Sequence, residues 1–210
     1  RNTAAALPPA ARAEVGRLAL ADLVRITGAP CAAPAGRAAL DKLALRIFGP
    51  LDTPRLIVVR EGLERALHLP GRHVVLPEPL IALPDGPETV AGAALAERMR
   101  AEARDPMVGM LRHAGVLATL RLLATGSLGR DAVAGYAEAL IARPPLTLDQ
   151  GAMIARFRSA EVPTWPYAAM VDPGGQLLPR LVAEDPFPSG APRALLTDEE
   201  WVGLQDICTR

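Results

Sequence analysis

The chain has 210 residues, half of them apolar, with 23 lysines and arginines balanced by 23 aspartates and glutamates. That length and apolar share exclude a disordered tail, and a formal net charge of zero removes the long-range field that would draw the molecule onto DNA, RNA or anionic lipid. Only two Trp, two Tyr and three Phe are present, too few to build stacking platforms for bases or sugars, so the partners expected are other proteins recognised by shape.

Residues 11–26 carry Val15, Leu18, Ala19 and Ile26 at helical spacing and stop at Gly28 and Pro30. Residues 36–48 repeat the pattern, with Leu40, Leu43 and Ile47 on one stripe before Gly49 and Pro50. A β-branched run at 55–60 reads as a strand, and the runs 66–69 and 72–76 flank Pro70-Gly71 as a hairpin. Helices are then expected over 88–103 and 107–124, separated by Asp105-Pro106, and over 131–142, ended by Pro144-Pro145. Thr147 to Gln150 forms a capping-box pattern for a helix running to about Ser159. From 162 to 192, proline and glycine predict an irregular surface wrap with a turn at 172–175. Thr197 and Glu200 then cap a short terminal helix bearing Trp201 and Leu204.

The fold class predicted is α+β, mainly helical, with a small sheet. Three segments are expected: an N-terminal helical segment and linker over 1–35, a central domain over 36–160, and a Pro/Gly-rich wrap with the last helix over 161–210. The longest central apolar run, 114–120, lies between His113 and Arg121 and falls far short of the ~20 residues that span a bilayer. Cys31 and Cys208 stand near opposite ends, too few for a disulfide framework and spaced unlike a zinc knuckle, which leaves the redox compartment open.

Between about Gly36 and Leu140 the order of elements resembles the M48-type zinc metallopeptidases of the gluzincin group. In that family an Ala-Leu-Pro-Gly-Gly type segment leads into an apolar strand, and here residues 65–72 read Arg-Ala-Leu-His-Leu-Pro-Gly-Arg before His73-Val-Val-Leu76. The family's next long helix bears His-Glu-x-x-His, two imidazoles one turn apart on a zinc ion and a glutamate that activates its water. The matching stretch here is Ala96-Glu97-Arg98-Met99-Arg100, so the glutamate is kept and both histidines are gone. The family's third ligand is a glutamate four residues before an aspartate; matching that aspartate to Asp131 puts Ser127 at the ligand position. Alanine, a guanidinium and a lone serine do not hold zinc, so the resemblance implies no catalytic group, no metal and no cofactor.

Glu97 and Arg100, spaced i and i+3, are placed to form an ion pair that plugs the vacated cleft. The alternative is that Glu97, Arg98, Arg100, Glu102 and Arg104 make an ordinary solvated face. An unrelated helical adaptor would have no reason to turn Glu97 toward the hairpin at Pro70. A two-residue hairpin turn would set His68 and His73 opposite each other, with Cβ atoms about 5 Å apart, though two imidazoles alone make a poor zinc site. His113 reads as structural, and Trp165-Pro-Tyr167 as a loop pinned by two rings. No nucleophile elbow, phosphate loop or dinucleotide fingerprint is present.

The function these readings imply is a catalytically inactive M48-like homologue serving as an interaction or accessory subunit of a larger assembly. The competing reading is a metal-dependent hydrolase with non-standard ligands. Because M48-type enzymes are often tethered by segments upstream of the catalytic region, the resemblance also implies membrane association through an anchor outside this stretch.

Overall fold

A computed structural model describes residues 7–209; the linker expected at residues 1–3 lies outside them. Helix α1 (Pro9–Thr27) starts on a proline in its first turn, where the missing N–H costs nothing, and ends at Gly28; α2 (Pro34–Phe48) is built the same way and ends at Gly49. Strands β1 (Arg55–Val59), β2 (Leu67–Leu69) and β3 (His73–Pro77) form one sheet in the order β1-β3-β2, with β1 parallel and β2 antiparallel to β3.

After a single turn, α3 (Pro79–Ala82), the long helix α4 (Glu88–Ala103) crosses beneath the sheet and buries every residue from Thr89 to Glu97. The helix expected over 107–124 is two: α5 (Pro106–Ala114) and α6 (Val116–Thr125), bent by 113° where Gly115 takes φ 85°. The helix expected over 131–142 is likewise broken, into α7 (Arg130–Val133) and α8 (Tyr136–Ala142), by Gly135 at φ 77°. In both cases the apolar period runs through the joint; the backbone of Gly115 interrupts the first, and Ala134 at ψ 131° together with left-handed Gly135 interrupts the second.

Helix α9 (Gln150–Ala160) is capped by Asp149, whose side chain accepts from the Ala152 N–H, rather than by Thr147. The expected wrap holds two short helices, α10 (Trp165–Val171) and α11 (Pro179–Ala183), joined by the turn at 172–175. Asp172 fastens the approach to α11 by accepting from the Gln176, Leu177 and Leu178 N–H groups. Trp165 therefore opens a helix and stays half exposed, while Tyr167 is buried. The terminal helix α12 (Asp198–Gln205) carries the capping box of Thr197 and Glu200 as expected.

The sheet divides two apolar cores, and this is why its strands read as unbroken apolar runs. Leu56, Val58, Val74 and Leu76 face α2, α4, α9, α10 and α12. Ile57, Val59, Leu67, Leu69 and Val75 face α1, α5, α7 and α8. Residues from all three expected segments enter these cores, Val15 and Leu23 from the first, Leu204 and Ile207 from the last. The hairpin loop has three residues, Pro70, Gly71 and Arg72, so Leu69 stands opposite His73 and His68 opposite Val74. The two histidines expected as partners consequently point to different sides of the sheet.

Candidate functional site

Glu97 ends the buried part of α4, on the face turned toward the edge strand β2. Its carboxylate is 3% exposed and both oxygens are engaged: Oε2 accepts from His68 Nδ1 at 2.7 Å and Oε1 from Arg100 Nη1 at 2.6 Å. An ionised carboxylate can only accept, so the His68 proton sits on Nδ1. Arg100 also donates from Nε to the Leu146 carbonyl at 3.0 Å and bonds the Tyr167 hydroxyl. Burial desolvates Arg100 and pushes its pKa down, but the Glu97 charge and the bonds to Tyr167 and Glu97 outweigh this, leaving it raised. Burial raises the Tyr167 pKa against the opposing pull of Arg100, so this hydroxyl stays a neutral partner.

The ion pair expected between Glu97 and Arg100 is present; of the expected solvated face, Arg98 and Glu102 lie on the other side of α4, while Arg104 stays exposed on the Glu97 side. Arg98 bridges Asp52 and Glu102, and Glu102 in turn holds Arg156 at 2.6 Å. Ala96 is fully buried among apolar residues. Ser127 stands in the exposed link between α6 and α7, bonded to Thr125, and Asp131 is exposed on α7. Neither lines the recess beside Glu97; the segment 144–146, just ahead of α9, closes it instead. The sequence carries no signal for this, because Leu146 meets Arg100 through its backbone carbonyl.

The recess measures about 60 Å³. Arg65, Arg100, Arg104 and Arg143 line it along with the one carboxylate of Glu97, and among the described residues no carboxylate pairs with Arg104 or Arg143. A groove of about 670 Å³ lies beyond His68, between the start of α1, the hairpin loop and the end of α4. His73 borders that groove, with Nδ1 buried and unbonded. Burial and the Arg55 charge lower its pKa, against a bond to the Pro70 carbonyl that raises it. His113 donates from Nε2 to the Ala134 carbonyl at 2.8 Å and meets the Tyr136 ring edge-on, a packing role.

Among the described residues no three His, Cys, Asp or Glu side chains converge as a metal-binding group. Cys31 and Cys208, too few for a framework, form a single disulfide. No protein-family model matches the chain, and no curated protein matches it either.

Proposed function

We propose that this protein is a catalytically inactive relative of the M48-type metallopeptidases that works as an accessory subunit, meeting its partners through the surface around the former catalytic cleft. The observation carrying this reading is the state of Glu97. Where the resemblance assigns a base beside a metal-bound water, the carboxylate is instead buried, with one oxygen bonded to His68 and the other to Arg100. A general base has to be reached by the proton it takes, and this carboxylate is 3% exposed with both oxygens already hydrogen-bonded. The recess of about 60 Å³ adds to this, being well below the roughly 300 Å³ at which ligand pockets begin. The turn of Glu97 toward β2 supports kinship over an unrelated helical adaptor. Ser127, lying away from the recess, gives kinship no support at the third-ligand position.

The rim cations Arg104 and Arg143 fit an acidic partner segment, since one-sign rims favour complementary partners. The purified chain, dialysed against zinc and then buffer, is expected to retain no zinc and to cleave no unfolded protein substrate. Retained zinc together with hydrolysis abolished by Glu97→Gln would overturn the reading in favour of the metal-dependent hydrolase. A crosslinker placed at residue 143 is expected to trap one defined partner, lost in the Arg104→Glu, Arg143→Glu variant.

A further inference from the structure

Helix α6 buries Leu122 against the body and leaves its other large side chains in solvent. Val116 is 76% exposed, Leu117 84%, Leu120 56% and Leu123 46%. At 100° per residue these four fall within an arc of about 120°, opposite Leu122, so they form one continuous crown rather than scattered apolar residues. The 113° bend at Gly115 sets α6 across the end of α5 instead of continuing it, which holds the crown outward. No helix among the described residues is long and apolar enough to cross a membrane, and ten residues of α6 extend only about 15 Å.

Along the stretch of chain that carries this crown, between Asp105 and Asp131, the charge has one sign. From Pro106 to Arg130 there is no aspartate or glutamate, while Arg112, His113, Arg121 and Arg130 are present and exposed, in a chain whose overall charge is zero. Arg121 falls at the flank of the crown, where its stem can follow the apolar surface and its head reach a phosphate. The crown is also purely aliphatic. Protein hot spots are enriched in Trp, Tyr and Arg and poor in Leu and Val, whereas an aliphatic face with an arginine rim is the composition of helices that lie in a bilayer interface.

From these features we infer that α6 is a surface anchor whose Val116, Leu117, Leu120 and Leu123 enter the headgroup layer of an anionic lipid leaflet, with Arg112 and Arg121 on the lipid phosphates. The inference stands independently of the reading given to Glu97, since the two surfaces share no residue. Flotation of the full oxidised chain with vesicles of phosphatidylcholine and phosphatidylglycerol is the test. Binding is expected, at least tenfold weaker to pure phosphatidylcholine and weakening as salt rises. Leu117→Glu with Leu120→Glu should lower binding at least tenfold without changing the thermal unfolding of these exposed positions, and Leu117→Ser with Leu120→Ser serves if the charged pair disturbs folding. Arg112→Ala with Arg121→Ala should erase the preference for the anionic lipid. Failure of the wild type to float, or equal flotation of the crown variants, would overturn the inference. So would self-association of the free chain that the crown variants abolish, which would make a second copy the occupant.

Discussion

Glu97 carries a full charge in a place that water scarcely reaches, and what keeps it there is the pair of donors on its two oxygens. Charge pairs of this kind are asymmetric in their energetics: removing one member strands the other, whereas replacing both with apolar groups avoids the desolvation altogether. Glu97→Gln leaves Arg100, 16% exposed, with a neutral partner, and is expected to lower stability by about 3 kcal/mol. Glu97→Leu combined with Arg100→Leu should recover part of that loss, because the neighbouring surface of α4 is already apolar, the remainder being the bonds lost by His68 Nδ1, the Leu146 carbonyl and the Tyr167 hydroxyl. Urea denaturation of the three proteins measures both changes. A double variant as unstable as the single one would mean that Arg100 acts mainly through Leu146 and Tyr167, not through the carboxylate.

At the scale of elements, α2 and α12 are packed with almost no clearance. A Cβ on Gly36 would lie 2.6 Å from the Ile207 Cβ and 2.7 Å from the Gly203 carbonyl oxygen, so Gly36→Ala has to force the two helices apart. Overpacking of this sort costs about 1–3 kcal/mol, and because Cys208 comes directly after this interface, the variant should also make the disulfide more accessible to reductant. Denaturation and the rate of reduction by a dithiol check the two parts. The elements were legible where a local signal exists: the end of α4 follows from Asp105-Pro106, and the capping box of α12 from Thr197 and Glu200. Those that escaped are set by backbone or by distant contacts. Gly115 and Gly135 break helices whose side-chain period continues past them, and the third loop residue, Arg72, shifts the hairpin register by one position and separates His68 from His73. The Glu97–Arg100 pair could be read from i, i+3 spacing, but its burial, and the roles of His68, Leu146 and Tyr167, depend on how β2, the 144–146 segment and α10 converge.

Over the whole molecule, the sheet is the shared wall of two cores, and the chain closes on itself at one edge of that sheet. Cys31 lies between α1 and α2, its N–H donating to the Val58 carbonyl of β1, and it is bonded to Cys208 in the last turn, 177 residues away. Arg60 reaches the Cys208 carbonyl and Ala33 donates to Ile207, so the C-terminal turn is tied to the edge by backbone as well as by sulfur. Because the bridge encloses nearly the entire chain, its main effect is on the unfolded state, where it removes the loop-closure freedom of almost all the residues. Cys208→Ser is therefore expected to lower stability by about 2–5 kcal/mol while leaving the native circular dichroism unchanged, since the hydrogen bonds at the edge remain. Treating the parent with a reductant should bring it to the same midpoint, and the variant should be indifferent to that treatment. If reduction instead dissolved native structure in the α12 region, the bridge would be holding up the edge of the first core, and the hydrogen bonds of Arg60 and Ala33 would be too weak to seat the terminus alone.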